Sequence, residues 1–167
     1  SSPSRGLGDV YKRQVFAHVV DRNSMRTVLS LAASQNLKLY SFDISNAYLQ
    51  AELKEVIYME PPPGMDIPKD ECLALIRPIY GTRQGARMFS DALDSHLEKI
   101  GFKQNVADPC VWTRTRNGKQ QIITSYVDDC TVAVADDKAR DDLMVEMRDR
   151  FEICLLYTSP SPRDGLL

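Results

Sequence analysis

The hydrophobic positions of the chain follow two repeating patterns. Apolar residues spaced three to four apart predict helices at 25–33, from about 82 to 100, and at 139–151, with a shorter helical segment at 47–53. Alternating or short β-branched runs predict the strands, at 37–44, 55–60, 72–76, 110–116, 121–126 and 131–135. This order predicts an α+β fold in which helices cover one face of an antiparallel sheet.

Turn and cap residues mark the ends of these elements. Asn117-Gly118 stands between two strand-like runs and is a strong hairpin signal. Asn23 or Ser24 is a suitable N-cap for the first helix, and Asn36 is suited to its end. Asp136 or Asp137 is predicted to cap the last helix. The boundaries of the elements therefore carry local chemical signals of their own.

Two adjacent carboxylates, Asp128 and Asp129, separate the strand-like runs 121–124 and 131–135. This arrangement predicts a hairpin with both acids at its tip. Placing two carboxylates together without compensation is costly, so the pair requires either a cation or solvent. The pattern therefore leaves two interpretations open, a divalent-metal site and a solvated Asp-Asp turn.

Composition narrows these interpretations only slightly. The 167 residues suit one domain, and the 43% hydrophobic and 26% charged content is ordinary for a globular chain. The net charge of −2 lacks the basic excess that is typical of nucleic-acid-binding domains. No apolar run approaches the roughly 18–20 residues of a membrane span, so we expect no membrane partner. The four cysteines show no C-x-x-C spacing, which argues against a zinc site.

The two ends of the chain are predicted not to belong to the domain. One DNA segment, read as protein in its two opposite orientations, can encode both residues 4–14 and residues 154–164. Such a segment resembles a sequencing adaptor that was translated with the gene. We therefore interpret 1–14 and 154–167 as adaptor-derived or disordered tails, and 15–153 as the informative domain.

Four blocks in the domain carry a family resemblance. They are Phe42–Leu53, Tyr58–Gly64, Ile79–Arg87 and Tyr126–Asp129, in this order. Together they resemble the reverse transcriptase of Ty1/copia-type retrotransposons, an RNA-directed DNA polymerase. The resemblance implies a polymerase palm with part of the fingers. It also implies that basic fingers residues precede Val15 and that a thumb and a ribonuclease H follow Ile153, so we expect little or no activity from this chain alone.

The resemblance assigns catalysis to three acids. Two Mg²⁺ ions, with Mn²⁺ as an alternative, would support nucleotidyl transfer from a dNTP to a primer 3′-hydroxyl. Asp43, near the end of its predicted strand, and Asp128 would bridge the metal ions, and Asp129 would be the supporting acid. Considered alone, Asp43 could equally be a helix N-cap.

The resemblance also implies substrate-binding residues. Tyr48, with its neighbour Ala47, matches the family position beneath the incoming sugar, and Gln84 and Arg87 match positions near the incoming nucleotide. The alternatives are a buried aromatic for Tyr48 and a solvated first-turn residue for Gln84. The segment Thr82-Arg-Gln-Gly-Ala-Arg87 lacks the proline that the family usually has before this arginine, and the glycine within it is expected to loosen the helix start.

The implied partners are an RNA or DNA template with its primer, dNTPs, and the integrase and ribonuclease H of a parent polyprotein. The implied location is a cytoplasmic virus-like particle. Two other functions remain open at this point. One is an inactive or domesticated retroelement remnant that acts only as a binding or structural module. The other is a metal-dependent nucleotidyl enzyme that is not a polymerase.

Overall fold

The computed structural model describes residues 19–53, 56–68, 70–82 and 84–156. This part of the chain contains three α-helices, α1 (Arg22–Ser34), α2 (Gly85–Lys99) and α3 (Asp137–Arg148), and a short 3₁₀ helix at Ala47–Gln50. Each lies at a segment where the hydrophobic spacing predicts a helix. Among these residues no helix has both the length and the apolar character needed to cross a membrane.

The strands of the described residues form two antiparallel sheets. They are β1 (Lys38–Ile44), β2 (Ile57–Met59), β3 (Leu73–Leu75), β4 (Lys103–Gln104), β5 (Val111–Arg116), β6 (Lys119–Tyr126), β7 (Asp129–Val134) and β8 (Ile153–Leu156). Six of them form one sheet in the order β4-β5-β6-β7-β1-β8, and β2 pairs with β3 in a separate ribbon. The predicted α+β class is confirmed.

One face of the six-stranded sheet packs against α2 and α3. Phe42 and Ile44 of β1 and Val132 and Val134 of β7 are fully buried there, because alternate residues of a strand point to the same face. The residues that the two helices add to this core are Phe89, Leu93, Leu97, Leu143, Met144 and Met147. This cluster forms the larger of the two cores.

The opposite face is covered by α1, so the expectation that helices cover only one face is wrong. Val28 and Ala32, one helical turn apart, are buried in a second cluster on this side. The sheet residues that they meet are Val111, Ile122 and Ala133. Their strand neighbours belong to the larger cluster, so the alternation of β5, β6 and β7 divides the core between two faces.

Helix α1 begins earlier than its sequence signals predict. Its N-cap is Asp21, whose side chain accepts a hydrogen bond from the Asn23 N–H at 2.8 Å, so the cap expected at Asn23 or Ser24 is wrong. The Asp21 N–H in turn donates to Asp108 Oδ2 at 2.9 Å, which ties the start of α1 to the loop before β5. Asn36, with a φ of 54°, ends the helix as predicted.

The predicted turn chemistry at two other element boundaries is confirmed. Asn117 and Gly118, with φ values of 52° and 74°, form the two-residue turn between β5 and β6. Asp136 caps α3, because its carboxylate accepts a hydrogen bond from the Ala139 N–H at 2.9 Å.

Parts of the predicted organisation lie outside the described residues. These are the predicted tail at 1–14, the strand start at Glu55, Arg83 of the departing segment, and residues 157–167. Residues 154–156 are described, and they belong to β8, which pairs with β1 through Asp43–Cys154 and its neighbours. The predicted boundary after Ile153 therefore falls inside a strand, while the adaptor origin of the tail stays a prediction.

Candidate active site

The three candidate acids are brought together by strand pairing. Asp43 of β1 and Asp129 of β7 are directly opposite in the antiparallel register. Asp128 precedes Asp129 in the turn, and its carbonyl oxygen accepts the Ile44 N–H at 3.0 Å. Asp43 and Asp129 share one face of the sheet, opposite the buried residues that flank them. The pairing of β1 with β7 therefore creates an acidic group at one end of the sheet.

The turn that carries Asp128 has an unusual backbone. The predicted hairpin between β6 and β7 is present, but its two-residue turn is Val127-Asp128, and Asp129 is the first residue of β7, paired with Tyr126. Val127 has a φ of 58°, in the left-handed region that a β-branched residue rarely adopts. The chain thus holds Asp128 at the tip by accepting local strain at its neighbour.

The surroundings of Asp43 disfavour its negative charge. Burial raises the pKa of the Asp43 carboxyl above its ordinary value, and the charges of Asp128 and then Asp129 raise it further. The direction of this pKa shift means that the ionised form of Asp43 is disfavoured where it stands. A cation placed among the three carboxylates would relieve this repulsion.

The carboxylate oxygens of the acidic group are of the kind that bind hard divalent cations such as Mg²⁺. Asp43, Asp128 and Asp129 offer carboxylate oxygens, which Mg²⁺ prefers. Among residues 19–53, 56–68, 70–82 and 84–156, no three His, Cys, Asp or Glu side chains converge as a finished metal-ligand cluster. Magnesium usually takes only one or two carboxylates and completes its shell with waters and substrate phosphates. The carboxylates therefore fit the ion by chemistry and charge, without a preformed cage.

Tyr80 makes the one side-chain hydrogen bond to these acids that is found among the described residues. Its hydroxyl donates to Asp128 Oδ2 at 3.1 Å. Burial and this hydrogen bond raise the pKa of Tyr80 to about 12, so the hydroxyl keeps its proton and remains a donor at neutral pH. Tyr80 belongs to the family block Ile79–Arg87, but the sequence predicts no role for it.

Tyr48 lies next to this contact. Its ring stacks on the Tyr80 ring with centroids 4.2 Å apart and a 28° angle between planes, and it meets Phe89 at 6.2 Å. The side chain is half-buried, and this burial raises the pKa of the Tyr48 hydroxyl above its ordinary value; the charge of Asp128 raises the pKa further. Tyr48 is therefore an aromatic packed against the core that also lies near the acids, while its contact with the incoming sugar stays a prediction.

The other predicted substrate residues differ in their surroundings. Ala47 is fully buried in the larger core. Gln84 precedes α2, and its side-chain oxygen is buried without a hydrogen-bond partner among the described residues. Arg87 is exposed on α2. The structure thus does not present Ala47 as an open side-chain contact, while the orphaned Gln84 oxygen is a polar atom that still needs a partner.

Two neighbours of the site are structural. Burial raises the pKa of the Cys130 thiol, and the nearby carboxylates raise it further, so this side chain stays neutral and packs in the core.

Gly85, the first residue of α2, lies in close contact with Thr82, because a Cβ at position 85 would stand 2.5 Å from Thr82 Oγ1. The absence of a side chain at Gly85 therefore lets the backbone pack closely against Thr82 at the start of α2. The glycine was expected to loosen this helix start, and the structure adds that it also permits this close packing.

Most of the chain matches a known protein family. The family described as reverse transcriptase (RNA-dependent DNA polymerase) matches residues 5–159, which is most of the chain. No solved structure matches the chain significantly. The matched residues include all the helices and strands that the structure describes, and thus every element that carries a candidate site residue.

Curated relatives point to the same family. The chain is 34% identical over 126 residues to the Retrovirus-related Pol polyprotein from transposon TNT 1-94 of Nicotiana tabacum, a match that covers 74% of the chain and 10% of the relative. It is 29% identical over 143 residues to the corresponding polyprotein from transposon RE1 of Arabidopsis thaliana, covering 84% of the chain and 10% of the relative.

A third relative is the truncated transposon Ty1-A Gag-Pol polyprotein of Saccharomyces cerevisiae, 26% identical over 156 residues, with 93% of the chain and 13% of the relative covered. The chain thus spans about a tenth of the length of these polyproteins. Its match to the family, by contrast, runs through nearly all of its own length. The chain belongs to the reverse transcriptase (RNA-dependent DNA polymerase) family.

Proposed function

We propose that this chain carries the catalytic palm, with part of the fingers, of an RNA-directed DNA polymerase of the Ty1/copia type. The observation that supports this most directly is the pairing of Asp43 opposite Asp129, with Asp128 at the adjoining turn. This pairing collects three carboxylates from two distant parts of the chain. Carboxylates placed in this way could hold the divalent metal ions that stabilise the charges of phosphoryl transfer.

The acids would take distinct parts in the reaction. Divalent ions held by Asp43 and Asp128 would supply charge stabilisation for the attacking 3′-oxygen and the pyrophosphate leaving group. Asp129, on the same face as Asp43, would support this arrangement by its charge. The raised pKa of Asp43 favours the proposal, because burial and the charges of Asp128 and Asp129 disfavour the ionised form of Asp43 until a cation compensates it.

The nucleotide would be placed by residues on the α2 side of the acids. Tyr48, within reach of the charge of Asp128, would contact the deoxyribose and exclude a 2′-hydroxyl. The side-chain amide of Gln84 would form a hydrogen bond with the incoming nucleotide. Its Oε1 is buried without a partner, so it could accept such a hydrogen bond only if the side chain turned outward. Arg87 would face phosphate, and Ala47 would act through its backbone because its side chain is buried.

The partners follow from the reaction and from the relatives. An RNA or DNA template with a primer and dNTPs are the proposed substrates, and contacts to their phosphate backbones would supply most of the affinity. The relatives are named as Pol polyproteins, and we propose that this sequence acts beside the integrase and ribonuclease H of such a polyprotein.

The test is incorporation of labelled dNTPs into a DNA primer on an RNA template, with the 167-residue chain at high concentration in Mg²⁺ or Mn²⁺. We expect slow incorporation that depends on the divalent ion. Asp128→Asn should reduce it at least about a hundredfold, because a metal-holding carboxylate supplies several kcal/mol of transition-state stabilisation. Asp70→Asn, which removes an exposed acid from the loop between β2 and β3, is the matched control and should leave the rate unchanged.

The outcomes separate the competing functions. Incorporation that persists at the same rate in Asp128→Asn would contradict the proposed active site. Because little activity is expected from this chain alone, binding of divalent ions without incorporation favours a remnant only if a longer polyprotein segment that carries the expected fingers, thumb and ribonuclease H is inactive too. Ion-dependent transfer of nucleotides without a template would favour a nucleotidyl enzyme of another kind.

A further inference from the structure

Tyr80 joins the two halves of the candidate site. It lies in the segment between β3 and α2, just before Gly81, whose φ is 90°. Its hydroxyl donates to Asp128 Oδ2 at 3.1 Å, and its ring stacks on Tyr48 at 4.2 Å. One side chain thus touches both the proposed metal-holding carboxylate and the proposed nucleotide-selecting ring.

The hydrogen bond restricts Asp128 at a place where little else does. Asp128 stands in a two-residue turn at the tip of a hairpin, and among the described residues its carboxylate has no side-chain hydrogen bond other than that from Tyr80. A donor on Oδ2 fixes the plane of the carboxylate and leaves Oδ1 with both lone pairs available. Partners of this kind orient the carboxylate ligands of metal ions and contribute strongly to metal affinity.

The ring of Tyr80 is held by a series of aromatic contacts that begins in the core. Phe151 meets Phe89 edge-on at 6.0 Å, and both are almost completely buried. Phe89 then meets Tyr48 at 6.2 Å, and Tyr48 stacks on Tyr80. Each ring limits the movement of the next. The position of the Tyr80 hydroxyl is therefore restrained by the core as well as by its own loop.

We propose that Tyr80 is a positioning residue that orients the Asp128 carboxylate toward a bound divalent ion through its hydroxyl, with Tyr48 holding the ring in place. The proposal rests on the proposed function, in which Asp128 holds the metal ion. It goes further by assigning a role to a residue outside the acids and the nucleotide-binding positions. It also makes the nucleotide-facing ring and the metal site mechanically dependent on each other.

The experiment measures binding of Mn²⁺ to the 167-residue chain by the loss of the electron paramagnetic resonance signal of the free ion. Tyr80→Phe keeps the ring and its stack but removes the hydroxyl, and should weaken Mn²⁺ binding about tenfold. Tyr80→Ala removes both and should weaken it at least as much. Tyr58→Phe, an exposed tyrosine on β2, is the matched control and should bind as the unaltered chain does.

Asp128→Asn distinguishes failure of this inference from failure of the proposed function. If Asp128→Asn loses Mn²⁺ binding while Tyr80→Phe binds normally, the role of Tyr80 is overturned and the metal site stands. If Asp128→Asn binds Mn²⁺ normally, or the unaltered chain shows no saturable binding, both the role of Tyr80 and the proposed metal site are rejected.

The thermal unfolding midpoint of Tyr80→Phe should stay within about 2 °C of that of the unaltered chain, because one half-exposed hydrogen bond contributes little to stability. A large fall in that midpoint would assign Tyr80 to folding and overturn the positioning role.

Discussion

Val127 carries backbone strain at the tip of the β6–β7 hairpin. Its φ of 58° costs a β-branched residue about 1–2 kcal/mol, because its Cβ crowds the following carbonyl. Asparagine adopts this region far more readily. We therefore expect Val127→Asn to raise the free energy of unfolding by about 1 kcal/mol, measured by chemical denaturation.

Val106→Asn is the control for that change. Val106 is fully exposed and has no positive φ, so the same substitution there should leave the free energy of unfolding nearly unchanged. Equal effects at the two positions would mean that polarity, and not relief of strain, explains any gain. A loss of stability at Val127 alone would show that its packing outweighs its backbone strain.

At the scale of elements, the start of α2 depends on a close approach between Gly85 and Thr82. A Cβ at position 85 would meet Thr82 Oγ1 at 2.5 Å, while the Ile79 carbonyl oxygen stands at 3.3 Å. Gly85→Ala should therefore lower the free energy of unfolding by about 1 kcal/mol, although alanine favours helices by a similar amount elsewhere. Thermal or chemical unfolding measures this change.

The contact itself is tested by a double-mutant cycle. In a Thr82→Ala background the closest clashing atom is gone, so Gly85→Ala should be neutral or stabilising there. Additive effects of the two substitutions would show that the Ile79 carbonyl or the Pro78 Cβ, each 3.3 Å from the added Cβ, and not the threonine, sets the need for glycine.

His96 on α2 links this helix to α3 and makes their packing sensitive to pH. Burial lowers the pKa of its imidazole below the ordinary 6.5; the Glu146 carbonyl, which accepts from Nε2 at 3.0 Å, opposes that shift. Lys99 and Arg150 lower the pKa further, and Asp149 raises it. As pH falls below about 6.5, unfolded His96 takes up a proton that the folded protein resists. The free energy of unfolding should therefore fall from pH 7.5 to pH 5.5.

The variant His96→Gln isolates this contribution. It keeps a donor for the Glu146 carbonyl but cannot titrate, so its unfolding free energy should vary less with pH over the same range. Denaturant titrations at several pH values measure both proteins. An identical pH dependence in the two would assign the effect to other groups.

Local sequence signals predict most helices, strands and turns. Most differences between the predicted and the observed elements arise from contacts between residues far apart in the sequence. The Asn117-Gly118 turn follows from its own residues, because both need a positive φ. The cap of α1 does not, because Asp21 is held by Asp108 from far along the chain. The short strand β4 is exposed and carries no hydrophobic pattern, so only its pairing with β5 defines it.

The candidate site divides in the same way. Asp43 and Asp128 could be predicted because strand ends and hairpin tips are visible in the pattern, and because the family blocks contain them. Tyr80 could not, because its contact with Asp128 arises only when the segment before α2 folds over the hairpin. An exposed tyrosine beside a glycine carries no signal that separates such a contact from an ordinary loop.

At the scale of the whole molecule, β8 closes the edge of the sheet beside Asp43. It pairs with β1 from Ser41–Leu156 to Ile44–Ile153, and it includes residues that were predicted to be a foreign tail. A chain that ends at Ile153 should lose about 2 kcal/mol of unfolding free energy, since each lost backbone hydrogen bond contributes about 1 kcal/mol. Chemical denaturation of the shortened chain measures the loss.

A chain that ends at Leu156 is the matched control. It retains all of β8 and should unfold as the full chain does, within about 0.5 kcal/mol. If ending the chain at Ile153 costs nothing, β8 contributes no stability and the domain boundary predicted from the sequence is the better one.

The pairing of Asp43 with Asp129 has a consequence for the order in which the protein folds. The β6–β7 hairpin can form early from neighbouring residues, with Asp128 and Asp129 already at its tip. Asp43 arrives only when β1 docks beside β7, a step that closes a long loop and brings like charges together. A slip of one residue at that step would turn Asp43 to the wrong face. The acidic group is therefore complete only after the slowest class of contact has formed in the right register.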